Sequence, residues 1–192
     1  MGRTVAVYRV VLFDLDGTLV NSIPAVVESF QDVFRTYTGE ELSPEEVVDL
    51  FGPPETELIA AKVGLDNYRQ ALAEYYSLYE EKTQALGTYL GIRELLEELV
   101  RAGCRLGVVT GRGRPMTELT LERTGMGGFF GAVVSGHDVS RPKPEPEGIR
   151  LALKLLGAEA WRPSTSGTWV VTSGRRPGER VWLLPGRPGI RD

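Results

Sequence analysis

Two carboxylates two positions apart, Asp14 and Asp16, follow directly on the apolar run Val10-Val11-Leu12-Phe13, and Gly17 behind them lets the chain turn away. Such a pair can hold a divalent cation, because hard cations take carboxylate and carbonyl oxygens. An Asp-x-Asp is also ordinary turn chemistry, so the pair alone does not define a site. Two more groups stand where a chain leaves a strand or enters a helix. Thr110-Gly111 closes a second apolar run and offers a hydroxyl and a backbone amide. Lys143 sits in Arg141-Pro142-Lys143-Pro144-Glu145-Pro146, a frame that sets it apart from a solvated surface lysine. His137 is the single histidine, and with no partner cluster it reads as a loop residue rather than a metal ligand. Cys104 reads as a small buried hydrophobe.

The elements that must position these groups alternate between strand and helix. The run before Asp14 is β-branched and apolar on both faces, as a central parallel strand requires. From Pro24 to about Leu86 the pattern is helical: Val26, Val27, Phe30, Val33 and Phe34 share a stripe, Val47 to Phe51 follow, and then come Tyr75, Tyr76 and Tyr79. Ile92, Leu95, Leu96, Leu99 and Val100 give an amphipathic helix, with Gly103 where a left-handed cap would end it. Residues 106–110 read as a buried strand ending in Gly-Arg-Gly, 116–124 as a helix and 132–135 as a short strand. The fold class expected is α/β, a doubly wound, mostly parallel sheet with an all-helical insert.

The string Val-Leu-Phe-Asp-Leu-Asp-Gly-Thr-Leu-Val at 11–20 resembles the first motif of the haloacid dehalogenase superfamily of phosphohydrolases. Val108-Val109-Thr110-Gly111 resembles the second motif, and Lys143 in its proline frame the third. The resemblance covers residues 8 to about 160. It implies a Rossmann-like core at 1–20 and 87–160 and a helical cap at 21–86. It also implies that Asp14 is the nucleophile that becomes an aspartyl-phosphate, and that Asp16 is the acid and base. Lys143 would screen the Asp14 carboxylate from an incoming phosphate. Thr18 would help hold the turn beside the substrate, and Thr110 and Gly111 would bind phosphoryl oxygens. Magnesium would be held by Asp14 and the Asp16 carbonyl. The turn Phe51-Gly52-Pro53-Pro54-Glu55 resembles the pyrophosphatase and phosphoglycolate phosphatase branch, in which the cap chooses the leaving group. The substrate implied is a small phosphorylated metabolite, with a non-catalytic binder of phosphorylated ligands or a partner protein as the alternative.

Composition agrees with that class and excludes others. The 192 residues carry a formal net charge of -4, which offers no basic grip for nucleic acid or an anionic membrane surface. One cysteine rules out a disulfide framework, and a reducing, cytoplasmic setting is expected. The tail at 161–192 departs from the rest: it holds all three tryptophans and six arginines, with Glu179 and Asp192 as its only acids. It lacks the family's fourth motif, a strand followed by Gly-Asp and a further acid, and on periodicity it is irregular. The genetic code permits a shifted reading from about codon 161. In that frame Thr165-Ser166-Gly167-Thr168 permits Tyr-Val-Gly-Asp, and Thr172 permits a second Asp. The rival is an authentic Arg/Gly/Pro-rich tail with an interaction role.

Overall fold

The structure, a computed structural model, describes residues 10–143, 145–158 and 168–171. Strand β1 (Val10–Phe13) is buried along its whole length and sends alternate side chains to opposite faces. Val11 and Phe13 join one apolar cluster, with Leu96, Leu121 and Met126. Val10 and Leu12 join another, with Ala152, Leu153 and Leu156. That two-sided burial explains a run with no polar alternation. Strand β2 (Arg105–Val109) pairs parallel with β1, β3 (Phe130–Val134) pairs parallel with β2, and the sheet order is β3-β2-β1-β4. A Cβ on Gly107 of β2 would stand 2.8 Å from Leu12 Cδ2 and 3.2 Å from Leu156 Cδ1, so this strand position has no room for a side chain.

Between β1 and β2 the chain builds the helices α1 (Ile23–Thr38), α2 (Pro44–Asp49), α3 (Glu55–Val63) and α4 (Tyr68–Lys82). Pro24 begins α1, and Gly39, at φ 72°, ends it by donating to the Arg35 carbonyl. Ser43 and Glu46 cap α2 reciprocally. The stripe of α1 meets Ala71, Tyr75 and Tyr79 of α4, which recur at helical spacing, in a cluster that also takes in Met116 of the helix after β2; the Phe30 and Tyr75 ring centroids are 4.6 Å apart. Helices α5 (Ile92–Arg101) and α6 (Arg114–Thr124) cover one face of the sheet, and α7 (Glu147–Leu155) covers the other. Among the described residues no helix is long and apolar enough to cross a membrane.

The amphipathic helix expected over Ile92 to Val100 is α5, while one expectation, about the tail, needs correction. The stripe on α5 is not buried evenly: Leu96 is buried, but Leu95 and Val100 are 42% and 47% exposed. The tail is not irregular throughout. Strand β4 (Thr168–Val171) lies parallel to β1, with Thr168 beside Val10 and Val171 beside Phe13. Four β-prone residues suffice to extend an existing edge but are too few to show a period. The rest of the tail, including Glu179, Asp192 and the string at 165–167, lies outside the described residues.

Candidate active site

The carboxyl ends of β1 and β2 make the floor of the site. The register sets Phe13 beside Val108, so Asp14 and the Val109-Thr110 pair leave the sheet at the same edge. Behind Asp14 the chain turns sharply: Leu19 and Val20 both donate to the Leu15 carbonyl, and Gly17 at φ 72° donates to the Val20 carbonyl at 2.8 Å. Only a residue tolerant of positive φ fits there. Thr18 lies in this turn, half-buried.

Asp14 Oδ1 accepts the Leu15 amide at 2.8 Å and lies 3.0 Å from Lys143 Nζ, an ion pair in which the ammonium lacks hydrogen-bond alignment. Burial pushes the Asp14 carboxyl above its ordinary value, Lys143 opposes that rise, and the neighbouring Asp16 adds to it. Thr110 is buried, donates its amide to the Val134 carbonyl at 2.9 Å and accepts the Arg112 amide on Oγ1 at 3.2 Å. Gly111 faces the insert so closely that a Cβ there would meet the Gly52 carbonyl at 3.1 Å. The structure thus gathers Asp14, Asp16, Thr18, Thr110, Gly111 and Lys143 around one sheet edge, from three segments far apart in sequence.

The insert supplies the roof, and most of its contacts were not readable beforehand. Glu55, 3% exposed, accepts the Gly113 amide at 2.7 Å at the start of α6. Thr56 Oγ1 and His137 Nε2 are 3.0 Å apart, and His137 Nδ1 accepts the Arg114 amide. The loop histidine is therefore a strut between insert and core. Cys104, half-buried, packs beside the cluster that holds Leu96 and Leu106.

Arg112 is the main addition. It is 8% exposed, and its Nη1 reaches Asp16 Oδ1 at 3.1 Å, the Tyr79 hydroxyl at 2.7 Å and Thr120 Oγ1 at 3.5 Å. Its guanidinium carbon stands 4.1 Å from the Tyr79 ring centroid. Burial alone would lower its pKa, but the charge of Asp16 and then Tyr79, Tyr75 and Glu55 carry it well above the ordinary value. Asp16 Oδ1 also accepts the buried Ser22 hydroxyl. The only earlier sign was an Arg between glycines two residues past Thr110.

The donor set suits a cation that keeps water and substrate oxygens as ligands. Among the described residues no three His, Cys, Asp or Glu side chains form a metal cage, but magnesium is commonly held by one or two carboxylates. The partly buried Asp14 carboxyl, its pKa raised by desolvation and by the neighbouring Asp16, is the environment a cation would relieve.

The matching family model is that of the haloacid dehalogenase-like hydrolases, over residues 11–162. The chain belongs to that family, on its phosphatase branch. Pyrophosphatase PpaX of Bacillus velezensis is 36% identical over 150 residues, covering 78% of this chain and 69% of that protein. The solved structure of a Lactobacillus plantarum protein provisionally named a phosphoglycolate phosphatase is similar at TM-score 0.63 and 28% identity, covering 78% of this chain and 72% of the other. CbbY from Rhodobacter sphaeroides, solved in complex with phosphate, shares the fold at TM-score 0.71 and 21% identity over 91% of each chain.

Proposed function

We propose that the chain hydrolyses a small phosphorylated metabolite, pyrophosphate or a phosphoglycolate-like ester, through an aspartyl-phosphate on Asp14. The observation that carries this reading is the floor itself: a partly buried Asp14 paired at 3.0 Å with Lys143, beside the Thr110-Gly111 strand end. An Asp14 carboxylate oxygen attacks phosphorus as the ester or anhydride P–O bond breaks. Asp16 gives its proton to the departing oxygen, then takes one from the water that hydrolyses the acyl phosphate, which regenerates Asp14. Lys143 offsets the repulsion between carboxylate and phosphate. Thr110 and Gly111 offer a hydroxyl and an amide to the phosphoryl oxygens, and Thr18 holds the turn from which Asp16 projects. Magnesium, held by Asp14 and the Asp16 carbonyl, would neutralise phosphoryl charge when bound.

Helices 21–86 act as the cap in this reading, excluding water and selecting the leaving group at the turn 52–55. The setting is the cytoplasm. The identity of PpaX supports a pyrophosphate-like substrate. A second reading, a binder of phosphorylated ligands without turnover, draws on the absence of a third acid among the described residues. Phosphate release from an aryl phosphate with magnesium decides between them. The expected result is turnover by the wild-type chain and background from Asp14→Asn; equal background in both refutes catalysis.

A further inference from the structure

We infer that Arg112 is the positioning residue for Asp16, and that it ties the acid's orientation to the seating of α4 over the site. The inference rests on the proposed roles of Asp14 and Asp16. Three observations converge on one side chain. Arg112 Nη1 grips Asp16 Oδ1 at 3.1 Å, on the oxygen that also takes the Ser22 hydroxyl. The same nitrogen reaches the Tyr79 hydroxyl at 2.7 Å, and the guanidinium carbon lies over the ring of that residue, whose side chain is wholly buried. Nη2 is buried without a well-aligned hydrogen bond, and Tyr75 also lies beside the guanidinium, so α4 meets the group through two tyrosines while Nη1 holds Asp16.

A buried guanidinium with a poorly aligned donor is an unfavourable way to fill space, since an apolar side chain would pack there without the desolvation cost. Its placement makes sense through what it holds. A charge-assisted bond to one oxygen of a carboxyl fixes the carboxyl plane and so the direction in which the other oxygen faces. A general acid delivers its proton well only when that direction is right at the moment the bond to phosphorus breaks. Because Tyr79 belongs to α4 and Asp16 to the turn after β1, Arg112 transmits the seating of the insert to the acid.

The step at stake forms a bond from an Asp14 oxygen to phosphorus, breaks the bond from phosphorus to the leaving oxygen and moves the Asp16 proton onto that oxygen. A leaving group that is stable as an anion needs little of that proton, whereas a poor one needs it fully. The test is therefore kcat/KM, which reports the first phosphoryl transfer. It is measured on the full chain with magnesium, using 2,4-dinitrophenyl phosphate and phenyl phosphate. For Arg112→Gln the expected loss is about 10²-fold on phenyl phosphate, the size of a general-acid contribution, and under about threefold on the dinitrophenyl ester. Arg112→Lys keeps a cation near Asp16 and should recover at least about tenfold of the phenyl phosphate loss. Tyr79→Phe keeps the ring and removes the hydroxyl, and should show the same dependence on leaving group at about threefold. Equal losses on both esters overturn the inference while leaving the proposed function intact. Should Arg112→Gln fail to fold, Tyr79→Phe carries the test, and a uniform effect there overturns it likewise. If the wild-type chain turns over neither ester, the proposed function fails and the inference falls with it.

Discussion

At the carboxyl edge of the sheet, Asp14 and Thr110 stand on backbone that leaves paired strands, so their placement follows from the register that pairs Phe13 with Val108. The underside of the helical insert works differently. Glu55, Thr56 and Tyr79 meet the core only through side chains, each reaching a separate core segment: the start of α6, the loop at His137, and Arg112. The floor is rigid because its groups are extensions of a ladder. The roof is held instead by side-chain bonds and by the packing of Met116 and Leu119 of α6 in the insert's apolar cluster, contacts that no strand register dictates.

The largest effect should come from the floor. Asp16→Asn keeps the turn but removes the acid and base, and should lower turnover by about 10²- to 10⁴-fold. Because Asp14 remains, a phosphorylated protein should accumulate when an activated aryl phosphate is supplied, visible as a mass gain of one phosphoryl group. Loss of both turnover and that adduct would mean that Asp16 holds the site together instead of moving protons.

Two glycines separate floor from roof more finely. A Cβ on Gly136 would collide with the Gly111 carbonyl and stand 2.7 Å from Pro54 Cγ, so Gly136→Ala forces backbone apart. We expect a loss of about 1–3 kcal/mol in thermal or urea unfolding. A Cβ on Gly113 would meet only side chains, the Glu55 carboxylate and His137 Cε1, the latter at 2.9 Å. Gly113→Ala should therefore leave the sheet intact, evict Glu55 from the α6 amide and loosen the roof. Its signature is a raised KM and an altered order of preference among phosphate esters, with a smaller fall in melting temperature than Gly136→Ala. An unchanged substrate profile in Gly113→Ala would show that the roof does not select the substrate.

The same division explains what the sequence revealed. Strand β1, the turn behind it and the Lys143 frame are contiguous strings whose residue types carry their geometry, so the floor was legible almost residue by residue. Arg112 was visible only as the middle of a Gly-Arg-Gly turn, because its meaning depends on Asp16, 96 positions earlier, and on Tyr79 of a separate helix. Ser22 was hidden and Glu55 was visible only as the end of the turn from Phe51, for the same reason: a buried polar side chain is defined by its partner, and a single chain read in order does not disclose partners. Leu95 and Val100 show the converse, apolar positions of a stripe that the fold leaves exposed. Strand β4 escaped because pairing with β1, not any period of its own, makes four residues extended.

The smallest expected effect concerns a piece of the floor that braces the roof, the capped turn from Ser135 to Asp138. Asp138 Oδ2 accepts both the Ser135 amide and the Ser135 hydroxyl at 2.7 Å, and the carboxylate pairs with Arg114 at the start of α6. Burial alone would raise the Asp138 pKa, but the hydroxyl and amide of Ser135 and then Arg114 outweigh it and hold the carboxyl below its ordinary value. The sign of the linkage follows. Above the unfolded value near 3.8 both states are ionised and the native one keeps its full advantage. As the pH falls below that value the unfolded chain takes up the proton first, and the advantage shrinks until the native carboxyl is protonated too. Asp138→Asn keeps an oxygen acceptor but loses the charge, and should therefore be less stable than the wild type by about 0.5–1 kcal/mol at neutral pH, the difference between a charge-assisted and a neutral hydrogen bond. The gap should close as the pH is lowered through the acid range. Glu46, Asp32 and Glu147 also have lowered values, but their contributions are common to both chains and cancel in the difference. Urea unfolding of the two chains at a series of pH values measures that difference directly. A gap that stays constant, or widens, as the solution is acidified would mean that the carboxylate charge does not stabilise this turn, and that shape alone holds His137 under the insert.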